Sequence, residues 1–501
     1  MAELILAHDL GTTGNKASLF DSSGHLVASA FVAYETHYPH PGWAEQDPAA
    51  WWGATCQSTQ HMLSTSGRTS GEIGAISFSG EMMGCTPVDA AGRPLRTSII
   101  WADQRAERQA GMLAERVGRD RVYQITGHRA SSNYTAAKAV WLREHEPEVY
   151  AQTHKILQAK DYVAYKLTGC YATDYSDASG TNLFDLQQRR WSAEILDALE
   201  LDLDLLPPAL PASTVIGTVT VDAAQESGLA AGTPVAIGGG DGACATAGAG
   251  VVQPADAYNY IGSSSWISFV SREPLYDPQQ RTFTFAHLDP EYVFPTGTMQ
   301  CAGGSYDWLE RLLRGDRDER LYGEMEALAS AVEPGAQGLF FLPYLIGERS
   351  PHWNPRARGA FVGLTMAHGR GEMARAVLEG VAFNLRTILD AFRDQGARIS
   401  ALRLIGGGAR SPLWRQILAD VFVLPVLRPQ LLVEATSLGA AIAGGVGVGI
   451  YPDYRVAGEL VQVEPGEMPR PQAMARYEEL YGLFRETYRA LSGIYDRIAA
   501  L

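Results

Sequence analysis

A chain of 501 residues, 46% hydrophobic and 19% charged, has enough apolar material for two or more cores and is neither a disordered polymer nor a mini-protein. Its 41 basic and 56 acidic residues leave a formal charge of -15, which disfavours a broad nucleic-acid surface or an acidic-membrane surface but permits a small anion site lined by backbone N–H groups. The 5 cysteines are scattered without a C-x-x-C pair, so a disulfide framework and a zinc site are not expected, and a reducing cytoplasm is.

The N-terminus lacks a basic region followed by an apolar stretch and cleavage site, and runs directly into strand-like sequence. Residues 4–10 form an apolar run ending in Asp9-Leu10-Gly11-Thr12-Thr13-Gly14, and 15–20 alternates as the returning strand of a Gly/Thr hairpin. Further strands are expected at 74–79 and 97–101, with helices at 104–117, 136–145 and 160–167. After a Pro-rich stretch near 205–235, Val235-Ala236-Ile237 leads as a buried strand into Gly238-Gly239-Gly240-Asp241-Gly242. A domain boundary is placed near 247, dividing the chain into 1–247 and 248–501.

In the second half, 257–271 reads as strand, Gly-Ser-Ser turn and strand. Helices are expected at 305–313, 371–392 and 412–421, and a strand at 401–405 meets Gly406-Gly407-Gly408-Ala409-Arg410-Ser411. The uncharged stretch 435–452 approaches membrane-spanning length, but its Gly and Ala content predicts a buried helix packed close to its neighbours. Residues 472–501 read as an amphipathic helix with spaced aromatics, a packing element or a dimer contact. Leu10-Gly11-Thr12-Thr13 and Ile261-Gly262-Ser263-Ser264 share one order, apolar, Gly, hydroxyl, hydroxyl, as two related domains facing a common cleft would produce.

A hairpin tip of Gly and two hydroxyls exposes consecutive N–H groups that can cradle phosphate. Asp9 before the first tip is either a turn residue or a carboxylate separated from phosphate by a hard cation such as Mg²⁺, held partly through water. Asp241, after three glycines, is either a base that a substrate can approach closely or the cap of the following helix. No G-x-x-x-x-G-K-S/T loop occurs, and no G-x-G-x-x-G follows the first strand.

In order, Asp9 to Thr13, Gly238 to Asp241, Gly262 to Ser264, Gly347-Glu348-Arg349-Ser350-Pro351 and Gly406 to Ser411 resemble the FGGY carbohydrate kinases of the actin-like ATPase superfamily. Trp43 to Pro48, Lys160-Asp161-Tyr162, Thr173 to Thr181 and Phe341 to Leu345 are most similar to the xylulokinases within that family. The resemblance spans nearly the whole chain. It implies an α/β fold of two ribonuclease-H-like domains, each a mixed sheet flanked by helices, with sugar and ATP in the interdomain cleft. By that pattern Asp241 is the general base and Asp9 supports Mg²⁺, with Asp241 beside the same cation. Gly11, Thr12, Thr13, Gly262, Ser263 and Ser264 would contact phosphate, while Gly407, Gly408, Ser411, Gly303 and Asp307 would line the nucleotide. The implied reaction is ATP-dependent conversion of D-xylulose to D-xylulose 5-phosphate.

Met83 stands where xylulokinases typically carry His, and Gly242 where they often carry Asn, so two sugar-side contacts depart from the pattern. Met82 and Met83 are pocket lining or core filler; Asp103 is a sugar contact or a cap paired with Arg105; Asn133 is a sugar contact or turn residue. Ribulose, gluconate, erythritol or another polyol are the alternative substrates. An actin-like ATPase switch and a non-catalytic sugar sensor are the readings from other classes. The expected partners are a small sugar and ATP, with no nucleic acid or membrane, and a homodimer is compatible with the chain.

Overall fold

The computed structural model describes residues 4–314, 319–430 and 434–499. The first sheet opens as an antiparallel meander of β1 (Leu4–Gly11), β2 (Gly14–Phe20) and β3 (Leu26–Ala33), and β4 (Ile73–Gly80) then pairs parallel to β1. With β5 (Val215–Thr218) and β6 (Pro234–Ala236) the order is β5-β6-β4-β1-β2-β3, and the short β7 (Gly239–Gly240) pairs with the end of β4.

The second sheet repeats this plan. It comprises β8 (Ala257–Ile261), β9 (Ser265–Phe269), β10 (Phe283–Ala286), β11 (Val293–Met299), β12 (Leu402–Ile405), β13 (Val426–Pro429) and β14 (Val463–Glu467), in the order β10-β11-β9-β8-β12-β13-β14. The meander β8-β9-β11 with parallel β12 beside β8 matches β1-β2-β3 with β4. The two similar hairpin tips therefore occupy the same place in two ribonuclease-H-like sheets, each mixed and flanked by helices.

Helix α1 (Pro48–Ser66) packs on the first meander. It begins where Asp47 accepts the Ala49 N–H at 2.9 Å and stops at Gly67, whose φ of 67° ends the helical turn. In the first half, α2 (Thr135–His145), α3 (Ala159–Thr168) and α4 (Tyr175–Ser179) support the cleft, and α5 (Asp241–Gly248) follows β7. The second half contributes α6 (Gly303–Arg314), α7 (Glu319–Ser330), α8 (Arg370–Asp394), α9 (Pro412–Phe422), α10 (Ala435–Gly447) and α11 (Pro471–Ile498).

The uncharged stretch forms α10, a buried helix as its composition predicts, and among the described residues no helix is long and apolar enough to cross a membrane. Although α10 belongs to the second half, it lies on the first sheet: a Cβ on Gly444 would sit 2.9 Å from Ser77 Cβ on β4. Conversely, Ala245 and Ala249 in and beside α5 pack with Tyr258 and Ile405 of the second sheet. The two exchanged helices cross at glycines, where a Cβ on Gly439 would fall 2.0 Å from the Cys244 carbonyl oxygen. Helix α11 buries Tyr477, Tyr481, Phe484 and Tyr495 in the second core.

Two expected elements are shorter than their sequence pattern. Within 97–101 only Ser98–Ile99 forms a strand, because the Ile100 carbonyl accepts from Lys138 Nζ instead. The helix expected at 104–117 covers Glu107–Arg116, since Asp103 and Arg105 form a buried ion pair ahead of it.

Candidate active site

The parallel pairing of β1, β4 and β7 sets the two acidic groups. Asp9 pairs with Ser79 near the end of β4, and Gly240, the last residue of β7, pairs with Gly80, so Asp9 and Asp241 emerge from the same edge of one sheet. Asp9 Oδ2 accepts the Thr436 hydroxyl at 2.6 Å, a contact from the first turn of α10 that ties the second half of the chain to β1. Asp241 Oδ1 accepts the Gly242 N–H at 2.7 Å. Burial and then the charge of Asp9 push the Asp241 carboxyl up to about 7. Asp241 therefore accepts a proton near neutrality, and the two carboxylates share one electrostatic environment.

A buried charge cluster holds β7 from behind. Lys160 Nζ lies 2.7 Å from Asp161, 3.0 Å from Asp174 and 3.1 Å from Asp177. Asp174 accepts the Ser176 hydroxyl, and Ser176 Oγ accepts the Gly240 N–H at 2.9 Å. The Lys160-Asp161 and Thr173 to Thr181 segments thus fix the backbone immediately before Asp241.

Both hairpin tips face outward, with Thr13 and Ser263 exposed. Thr12 is committed through both side chain and carbonyl: its hydroxyl donates to Glu81 Oε2 at 3.1 Å and accepts the Trp101 indole N–H at 3.0 Å, and its carbonyl accepts from Gln46 Nε2 at 2.8 Å. Gly262 and Ser264 close the second tip through a 2.9 Å backbone bond. The N–H of Gly303, read from the sequence as nucleotide lining, instead donates to the Gly262 carbonyl at 2.9 Å, and its Cβ-free backbone lets α6 seat against the tip. Asp307 follows on α6, one turn on.

In the third glycine turn, Gly407 is the open position, where a Cβ would meet nothing within 4 Å. Gly408 is a packing glycine, its Cβ position 2.5 Å from Ile261 Cγ2, and Ser411 is a helix cap, accepting the Trp414 N–H at 3.0 Å and donating to Glu326 at 2.6 Å. Because Gly408 rests on Ile261, this turn and the second phosphate tip are adjacent.

On the other side of Asp241, Met82 is buried and fills space over Gly240, whose Cβ position lies 2.6 Å from Met82 Cγ. Met83, at a left-handed φ of 68°, shares an apolar cluster with Tyr134, Phe294, Trp101 and Trp353. A side chain at Gly242 would face the Phe294 ring from the second sheet. Asp103 is fully buried, with its carboxylate on the Ala44 N–H and the Arg105 guanidinium, which places it as a structural cap and charge pair rather than a sugar contact. Asn133 is half-buried and donates to the Trp101 carbonyl at 2.8 Å.

Two groups here escape sequence reasoning. Lys138 Nζ donates to the carbonyls of Met83 at 2.7 Å, Ile100 at 2.8 Å and Asn133 at 2.6 Å, gathering three loops on one ammonium. Arg349, from the Gly347 to Pro351 loop of the second half, lies over the Phe283 and Trp353 rings, and its charge acts on Tyr134 of the first half. Lys138, on an Ala-rich helix, carries no local signal; Arg349 lies in the Gly347 to Pro351 segment that marks the resemblance, but its partners emerge only when the fold brings them together.

The FGGY family of carbohydrate kinases, N-terminal domain, matches residues 4–248, and its C-terminal domain matches 257–448. The chain belongs to this family. It is 36% identical over 490 residues to the xylulose kinase of Escherichia coli strain K12, covering 96% of this chain and 98% of that protein. Crystal structures of a gluconate kinase and of a ligand-bound xylulose kinase, both from Lactobacillus acidophilus, each superpose with a TM-score of 0.93 at 29% identity, over 99% of this chain and 100% of theirs.

This FGGY protein is therefore a carbohydrate kinase whose substrates are a small sugar and ATP. Among the described residues no three His, Cys, Asp or Glu side chains converge as a ligand set. Two hard carboxylates beside a phosphate cradle nevertheless fit a Mg²⁺ ion that keeps most of its water and takes its remaining ligands from ATP.

Proposed function

We propose that this kinase transfers the γ-phosphoryl group of ATP to a hydroxyl of D-xylulose, giving D-xylulose 5-phosphate, with Asp241 as general base. The observation that carries the reading is the Asp241 carboxyl, raised to about 7 beside Asp9 at the edge where the phosphate tips and the sugar side meet. As the sugar oxygen attacks the γ-phosphorus in line, its proton passes to Asp241, the bond from that phosphorus to the β,γ-bridging oxygen breaks, and ADP departs. The backbone of Gly11 to Thr13 and the N–H groups of Ser263 and Ser264 orient the phosphates and take up negative charge, while the Gly262 N–H holds the second tip closed. Mg²⁺, held through water by Asp9 and Asp241, would supply further charge neutralisation on the transferring group.

A second reading, a sugar acid such as gluconate, is favoured by one observation. Arg349 Nε has no partner although its guanidinium lies against the Phe283 and Trp353 rings on the sugar side, and a substrate carboxylate would complete it. An ADP-release assay over D-xylulose, D-ribulose, D-gluconate and erythritol decides between them. The expected result is strongest stimulation by D-xylulose, with at least about 10³-fold loss of turnover in Asp241→Asn and sugar binding retained. Inertness toward all four sugars overturns the reading, and near-normal turnover of the variant rejects the base.

A further inference from the structure

Glu81 follows the last residue of β4 and sits between the first phosphate tip and the sugar side, with only 4% of its surface exposed. Its backbone N–H donates to the Leu10 carbonyl at 2.8 Å, and its Oε2 accepts the Thr12 hydroxyl. Oε1 is buried and has no hydrogen-bond partner. The charged and titratable groups that act on it, or on which it acts, are Asp241, Lys138 and Tyr34. Leaving a buried carboxyl oxygen unpaired is costly, and a bound substrate is a source of the missing partner. The neighbouring side chains leave that demand open: Met83 brings a thioether that cannot donate, and Gly242 brings no side chain.

We propose that Glu81 is a sugar-contacting, specificity-determining residue, whose Oε1 hydrogen-bonds an oxygen of the bound substrate. The proposal rests on the kinase reading above and adds a residue to its sugar site. Burial, reinforced by the charge of Asp241, pushes the carboxyl up to about 8. The neutral acid presents an O–H donor, which suits a carbonyl or hydroxyl oxygen of the sugar, and the Thr12 bond fixes the orientation of the group. A contact of this kind discriminates strongly, because a substrate lacking the matching oxygen leaves the buried carboxyl unpaired. The competing account is structural, with Glu81 serving only to hold Thr12.

The test compares wild type, Glu81→Gln and Glu81→Leu by steady-state kinetics on D-xylulose, D-ribulose, D-gluconate and erythritol, together with thermal unfolding with and without each sugar. The amide of Glu81→Gln keeps a donor, and its sugar KM is expected within about threefold of wild type. Glu81→Leu is expected to raise the sugar KM by about tenfold or more and to lose the sugar-induced rise in Tm, with a much smaller change in ATP KM and unliganded Tm from the lost Thr12 bond, a change that Glu81→Gln, which keeps an acceptor, does not share. Should Glu81→Leu fail to fold, Glu81→Met replaces it in the same measurements. An apolar variant with wild-type sugar KM overturns the proposal, as does one in which ATP KM and unliganded Tm suffer as much as the sugar KM. Wild-type protein inert toward all four sugars overturns the kinase reading itself, and the proposal with it.

Discussion

At the scale of single residues, Asp241 sets activity against stability. Its carboxyl is raised from 3.8 to about 7, burial being the first cause and Asp9 the second. Below pH 4 the folded and unfolded chains both carry the proton, so the site has no net effect on stability. Between pH 4 and 7 the unfolded chain releases the proton while the folded chain retains it. Stability therefore falls as pH rises through that window, and above pH 7 the full cost is present. In metal-free buffer Asp241→Asn removes this charge and is expected to stabilise the unliganded enzyme. The gain is small at pH 4 and reaches on the order of 2–4 kcal/mol at pH 8. Urea unfolding at the two pH values checks this, and an equal effect at both would show that Asp241 titrates as it does in water.

At the scale of elements, the crossing of α5 and α10 joins packing to the site. A methyl group on Gly439 has no room, lying 2.0 Å from the Cys244 carbonyl oxygen, and relief requires α10 to move, carrying Thr436 away from Asp9. Gly439→Ala is expected to cost about 2–3 kcal/mol and to lower kcat more than the sugar KM, measured by urea unfolding and steady-state kinetics; unchanged stability would refute the close crossing. That α10 is buried was legible in its Gly and Ala content, but not that it would lie on the sheet of the other half, since no local pattern encodes an exchange between domains. Helix α1 was illegible for a different reason: buried Thr55, Ser58 and Thr59 interrupt the apolar stripe of Trp51, Ala54 and Met62. The strand-turn patterns around Gly11 and Gly262 were legible, because Gly and hydroxyl residues mark a tip that is open to solvent. Glu81 and Lys138 were not, because each depends on partners far away in the chain; Lys160-Asp161 and Thr173 to Thr181 were visible as motifs, but not their convergence on one ammonium.

At the scale of the whole molecule, the second sheet meets the helices of the first half along a seam. The Thr284 N–H donates to the Gly127 carbonyl at 3.0 Å, the Ala286 N–H to Ser179 Oγ at 3.1 Å, and the Tyr123 hydroxyl to the Thr282 carbonyl at 2.9 Å. These contacts lie on β10, the edge strand of the second sheet, and on Thr282 just before it, and the charge of Arg349 acts on Tyr134 of the first half. A kinase that assembles its cleft from two lobes must keep water from taking the place of the sugar hydroxyl, and contacts that close the seam serve that end. Arg349 also lies over the Phe283 and Trp353 rings. Its removal is expected to weaken closure more than ATP binding. Arg349→Met keeps an unbranched side chain and deletes the charge. Sugar phosphorylation is expected to fall by about 10–100-fold, while ADP release without sugar falls much less, so that the ratio of ATP hydrolysed to sugar phosphate formed rises. Measuring both products in one reaction decides the matter: a parallel fall in the two activities would make Arg349 part of the phosphoryl-transfer machinery instead of the closure that protects it.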